Sequence, residues 1–324
     1  MKKQSGYFII LLLAMLITAC SPKGGGTQTE IPVENPVTIK IAVLPIIDAL
    51  PMYVAESEGL FEKNGIKLEF IPVASAPERD QLLSAGQADG TINETLAVML
   101  FNKEKTQLQV VRYALRPTEG HGHFFILASG QSGITETQSL KGIEIGVSQG
   151  TVIEYVTERL LQTEGFTSDE IKTIAVPKIS DRMSLLASGE LKAGVLPDPL
   201  ASLAISQGAK NVLDDSSHPE YGFSVITFRK QVIDDHPEAV KAFLAAIEVA
   251  VDLINKDTTK YNSLLGEKGL VPPPLIGKFE VPPFPYEGVP TEAEWIDALN
   301  WAKDKSMLTV DVSYTDSVNP TLLP

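Results

Sequence analysis

The stretch Ile41–Phe61, IAVLPIIDALPMYVAESEGLF, reads as a strand, a loop and a helix in immediate succession. Ile41 to Leu44 is a continuous apolar run of the kind buried in a parallel sheet. Pro45 to Leu50 follows as a loop whose one polar residue is Asp48. Pro51 suits the first turn of a helix, where a missing N–H costs nothing. Junctions of the same kind recur at Thr91–Ala97 (TINETLA) and Ile145–Val156 (IGVSQGTVIEYV). Strands alternating with helices at this spacing predict an α/β fold with mostly parallel sheets.

Outward from that stretch, the chain runs through two similar cycles. The first has strands at Thr38–Leu44 and Ile66–Ile71, and Ser75-Ala76-Pro77-Glu78 as a capping box opening a helix. A short strand to Ile92, a helix from about Glu94 to Asn102 and a strand at Leu108–Tyr113 complete it. The second has strands at Gly142–Val147, Ile171–Val176 and Lys192–Leu196. Its helices are expected to open at Thr151, at Ser180 and at Asp198-Pro199, with Asp198 as N-cap. Arg79–Gly86 (RDQLLSAG) aligns with Arg182–Gly189 (RMSLLASG) at an offset of 103, sharing R-x-x-L-L-x-x-G. Two lobes of similar construction are therefore expected. HFFILA (His123–Ala128) and FSVITF (Phe223–Phe228) flank the second cycle as crossover strands. This divides the chain into lobe 1 at 38–125 and 225–324, and lobe 2 at 126–224. Pro237–Ile254 reads as a long amphipathic helix, and the proline-rich Val271–Pro285 as an extended surface strap.

The N-terminal residues carry a different message. Lys2 and Lys3 precede the apolar run Tyr7–Ile17, which falls short of the ~20 residues that span a bilayer. The run ends in Leu16-Ile17-Thr18-Ala19-Cys20, which resembles a bacterial lipobox. The resemblance implies a signal peptide at 1–19, lipidation of Cys20, and a membrane-anchored protein outside the cytoplasm. Residues 20–37, with Gly24-Gly25-Gly26, read as a tether. Cys20 is the sole cysteine, which excludes an internal disulfide, a cysteine-based zinc site and a catalytic thiol in the body of the chain. The net charge is −14, and −16 once Lys2 and Lys3 are removed, which argues against nucleic acid or an anionic lipid surface as partner.

Three motifs carry a family resemblance. Pro51-Met52-Tyr53-Val54-Ala55-Glu56-Ser57-Glu58-Gly59-Leu60-Phe61, Ser84-Ala85-Gly86-Gln87-Ala88-Asp89 and Ser139-Leu140-Lys141-Gly142-Ile143-Glu144-Ile145-Gly146-Val147 resemble motifs of ABC-importer substrate-binding proteins. The group is the one that includes nitrate, taurine, sulfonate and thiamine-precursor binders. The resemblance implies a two-lobe periplasmic-binding-protein type II fold closing on a small molecule, a monomer that hands its ligand to a permease and its ATPase subunits.

Loops at strand C-termini converge on such a cleft, and helix N-termini there present free N–H groups. That logic selects Asp48, Ser75, Asn93, Glu94, Ser148, Thr151 and Asp198 as ligand-binding candidates. Arg79 and Arg112 are the candidate cations; the shared position of Arg79 and Arg182 also suits a structural ion pair in each lobe. His121-Gly122-His123 lacks a third ligand for a metal and reads as a turn. No catalytic or cofactor motif is present. The family's enzyme relative, a pyrimidine synthase, is marked by a cysteine-rich motif that this chain lacks, so neither enzyme activity nor a cofactor is expected. With Asp48, Glu94 and Asp198 facing inward, the expected ligand is a neutral or cationic heterocycle such as a pyrimidine. The alternatives are a sulfonate, taurine or nitrate anion, or a sensor role without transport.

Overall fold

The computed structural model describes residues 36–324; the expected signal peptide at 1–19, Cys20 and almost all of the expected tether lie outside them. The first cycle comprises β1 (Val37–Val43), α1 (Leu50–Ser57), α2 (Leu60–Lys63), β2 (Ile66–Pro72), α3 (Ala76–Ser84), β3 (Gly90–Asn93), α4 (Thr95–Asn102) and β4 (Leu108–Leu115). After β5 (Phe124–Ala128) the second runs β6 (Glu144–Val147), α5 (Val152–Thr163), β7 (Lys172–Ala175), α6 (Ile179–Ser188), β8 (Ala193–Pro197), α7 (Leu200–Ser206) and β9 (Lys210–Asp214). Then come β10 (Ser224–Arg229), α8 (Lys230–Asp235), α9 (Pro237–Lys256), α10 (Asn262–Glu267) and α11 (Glu292–Asp304). None of the described helices is long and apolar enough to cross a membrane.

The strands form two five-stranded sheets of matching order, β2-β1-β3-β10-β4 and β7-β6-β8-β5-β9. In each, the first three strands are parallel and the fourth position is taken by a strand arriving from the other cycle. β5 lies antiparallel to β8 and β9, and β10 antiparallel to β3 and β4. Each lobe is thus completed by its neighbour's chain, and the two crossings are built into the sheets rather than lying beside them.

The periodicity of α9 places Val240, Phe243, Leu244, Ile247, Val251 and Ile254 on one wholly buried face. Phe243 stacks on Phe61 of α2 and meets Phe228 of β10 edge-on, both at 5.3 Å between ring centres, so the helix belongs to the first lobe. At ~25 cal/mol per Å², full burial of each such side chain contributes roughly 1.5–3 kcal/mol before the entropy of ordering is subtracted. α11 instead touches both lobes. It leans on α4, while Tyr155 and Arg159 of α5 donate to Asp297 at 2.7 Å and Trp301 donates to Glu158 at 2.8 Å.

Three local expectations are corrected. Ser180 does not cap α6; the helix begins two residues earlier than that cap would place it, with extended Lys178 at its N-cap, leaving Ser180 inside the first turn. Asp198 is not the N-cap of α7, because Pro199 holds that place; the carboxylate reaches past it and accepts from the Ser202 N–H at 2.9 Å. The strap Val271–Pro285 is not merely superficial, since Val271, Leu275, Val281 and Phe284 turn inward and are buried.

Candidate ligand cleft between the lobes

Parallel strands place all their C-terminal ends at one edge of a sheet, and here both such edges meet. The loops after β1, β3, β6 and β8 carry Asp48, Asn93-Glu94, Ser148–Thr151 and Asp198. Met183, Leu200 and Leu203 of the second lobe join the same apolar cluster as Ile46, Ile47 and Leu50 of the first, so the lobes close on each other along this edge.

At the crossings lies a buried polar knot. Asp48 accepts from the Ser224 hydroxyl at 2.5 Å and faces the His123 ring, Oδ1 to Nε2 3.5 Å. His123 Nδ1 donates to the Gly222 carbonyl at 2.6 Å, and the N–H groups of His123 and Phe124 donate to Asp215 Oδ1 at 2.7 and 3.1 Å. Burial is the largest single influence and alone would hold the imidazole neutral, but the charge and hydrogen bond of Asp48, the Asp215 charge and the Gly222 carbonyl together outweigh it and push the His123 pKa up to about 9. Burial likewise raises Asp48, and the His123 charge together with the hydrogen bonds from His123 and Ser224 more than reverses that, leaving its pKa lowered. Asp215, with only N–H donors on one oxygen, is raised by burial to about 7. A Cβ on Gly222 would stand 1.7 Å from Asp215 Oδ2, so only glycine fits there.

Of the residues proposed from sequence, Asp48, Asn93 and Glu94 gather at the first lobe's edge. Glu94 Oε2 lies 3.4 Å from Arg79 Nη1, and burial raises its pKa despite that cation. Arg79, buried, also donates to Asp80 at 2.8 Å and to the Ile92 carbonyl at 3.4 Å, while its Nη2 has no partner. Asn93 accepts the Glu94 N–H at 3.0 Å and leaves Nδ2 without a partner. Ser75 is exposed and its hydroxyl accepts from the Glu78 N–H, a capping role. In the second lobe Thr151 caps α5 and donates to the Ser148 carbonyl at 2.7 Å. Burial raises the pKa of Asp198, which is engaged at α7.

Arg112 is corrected. Its wholly buried guanidinium donates to Glu248 at 2.6 Å and to the carbonyls of Tyr113 and Pro285 at 2.5 and 2.7 Å. It ties β4, α9 and the strap together and offers nothing to the cleft. The sequence marks His123 only as part of a turn and carries no periodic signal for Asp215 or Ser224. The structural ion pair expected of Arg182 from the internal repeat is corrected: among the described residues its partners are the carbonyls of Val176, Pro177 and Val195 and no carboxylate.

The architecture is that of the periplasmic binding proteins, two α/β lobes hinged on crossing strands. The NMT1-like family model matches residues 33–264, and the chain belongs to that family. A Bacillus subtilis (strain 168) protein named as an aliphatic sulfonates-binding protein is 23% identical over 249 residues, 76% of this chain and 73% of its own. Among solved structures, the alkanesulfonate-binding protein SsuA from Xanthomonas axonopodis pv. citri, bound to MOPS, superposes with a TM-score of 0.72 at 16% identity, covering 89% of this chain and 99% of its own. The desulfurization enzyme DSZB shares the fold too, with a TM-score of 0.64 at 16% identity over 88% of this chain and 97% of its own.

Proposed function

We propose that the chain is the solute-binding component of an ABC importer, acting outside the cytoplasm, and that its ligand is a small organic anion of the sulfonate type. The observation that carries the ligand class is the inventory of unpaired buried donors along the interlobe edge. Arg79 Nη2, Asn93 Nδ2 and Arg182 Nη2 all lack partners, and a buried donor left unpaired costs roughly 1–3 kcal/mol unless something accepts from it. The carboxylates that argued for a neutral or cationic heterocycle are engaged within the protein: Asp48 by His123 and Ser224, Glu94 by Arg79, Asp198 by Ser202. The names of the Bacillus and Xanthomonas relatives point the same way.

In this reading a permease and its ATPase are the partners, Cys20 is the lipid-bearing residue, and the lobes divide at 125/126 and 224/225. Residues 36–324 contain no cysteine, so the cleft binds rather than performs thiol chemistry. Calorimetric titration of the full chain in mild detergent with butane-1-sulfonate, taurine and an aminopyrimidine tests the ligand class. Saturable binding of a sulfonate is expected; heat from the aminopyrimidine alone would overturn the sulfonate reading.

A further inference from the structure

The internal repeat places two buried arginines at equivalent positions. Arg79 Nη1 donates to the carbonyl of Ile92 at 3.4 Å and Arg182 Nε to the carbonyl of Val195 at 2.8 Å; the donor residues and the acceptor residues are each 103 positions apart. In each lobe, then, the guanidinium pins its helix to the C-terminal end of the third strand. What differs is the charge around it. Arg79 is flanked by Asp80 and Glu94, whereas the equivalent positions around Arg182 are Met183 and Pro197.

Arg182 is completely buried, and among the described residues five of the six arginines pair with a carboxylate while Arg182 does not. Its other bonds go to the carbonyls of Val176 and Pro177, at 2.7 and 3.3 Å, where the chain leaves β7. These neutral acceptors satisfy hydrogen atoms without cancelling the charge. Burial is the one influence acting on the group, and it pulls the pKa down to about 10. Nη2 remains without any partner. The guanidinium spans the ends of β7 and β8 at the interlobe edge, beside Met183, which packs into the first lobe's core cluster.

A buried cation without a counter-charge is costly, and the geometry that would neutralise it is a planar or tetrahedral oxyanion meeting the guanidinium fork. We infer that Arg182 carries the positive charge that receives the anionic group of the ligand, so the second lobe seats the anion and Arg79, already neutralised, only orients it. This rests on the anion reading above and assigns the anion's place within that site.

The test is titration of the full chain with butane-1-sulfonate in wild type, Arg182→Gln and Arg182→Lys. Arg182→Gln is expected to weaken binding at least about 100-fold with an unchanged far-ultraviolet spectrum. Arg182→Lys gives a second readout, because a desolvated lysine loses its proton more readily than an arginine. Its sulfonate affinity is expected to fall more steeply than that of wild type between pH 7 and 9. Absence of sulfonate binding by wild type would take down the ligand class and this assignment together. Wild-type binding with a folded Arg182→Gln within about threefold of it, or a Lys variant following the wild-type pH profile, would overturn the assignment of Arg182 alone.

Discussion

His123 holds its Nε2 3.5 Å from the carboxylate of Asp48, joining the chain that enters the second lobe to the loop after the first strand. Gly222 and Ser224, on the returning crossing, bond to the same two side chains. One ion pair therefore fastens both crossings, and its state is set by pH. In the unfolded chain the imidazole titrates near 6.5, and in the fold at about 9. A raised folded pKa stabilises fully below the unfolded value and is lost as pH climbs through the folded one. Asp215, raised to about 7, costs stability progressively as pH rises from about 4 to 7, below the range in which His123 acts. Asp48, lowered, contributes above about 3.8 and loses its contribution only in acid. Thermal stability is expected to be greatest near pH 4 and to decline towards pH 9, through Asp215 up to about pH 7 and through His123 above about 6.5, with His123 accounting for about 3 kcal/mol at most. Melting curves across pH check this, and His123→Asn should flatten the alkaline decline.

Gly222→Ala tests the close approach in the same knot. The added carbon would meet Asp215 Oδ2 at 1.7 Å and cannot be accommodated unless the buried Asp215 side chain gives way. A loss of about 1–3 kcal/mol is expected from such overpacking. The clash is with one side chain, so the cost should shrink when Asp215 is also replaced by Ala, although that change alone leaves the His123 and Phe124 N–H groups unpaired. A double-mutant cycle by urea unfolding reads this coupling.

Arg112→Met separates structural arginines from ligand-facing ones. It would strand Glu248 and release the Pro285 carbonyl, breaking a three-way tie among β4, α9 and the strap. Removing one partner of such a buried pair costs on the order of 3–5 kcal/mol. Urea unfolding should show that loss, while sulfonate affinity of the folded fraction should stay within about threefold of wild type.

Much of the frame was legible from local rules. The apolar run at Ile41–Leu44, the capping residues Ser75 and Thr151 and the period of Pro237–Ile254 each state their role within one element, and the repeat declared two like lobes. The site was less legible because its chemistry depends on pairings across the sequence. Asp48 finds His123 and Ser224, 75 and 176 positions away, and Arg112 finds Glu248, 136 positions away. No spacing rule links such residues, so Asp48 looked available when it was engaged, and Arg112 looked free when it was saturated. The repeat did hold a usable signal. Aligning Glu94 with Pro197 shows from sequence alone that one of two equivalent arginines lacks its acid.

Glu94→Gln exploits that asymmetry from the other side. With the carboxylate gone, Arg79 keeps Asp80 and the Ile92 carbonyl and its charge is no longer shared with a second acid 3.4 Å away. The first lobe's edge then becomes more positive around the unpaired donors of Arg79 and Asn93. For a pair in a partly desolvated setting, a change of one charge is worth on the order of 1–2 kcal/mol, or about tenfold in affinity. Butane-1-sulfonate should therefore bind about tenfold more tightly to Glu94→Gln than to wild type in calorimetry at low salt. The gain should diminish as salt is added, because charges at the cleft mouth are screened. A weaker affinity in this variant would instead mean that Glu94 accepts a hydrogen bond from the ligand itself, and would return the site to a ligand bearing a donor group such as an amine.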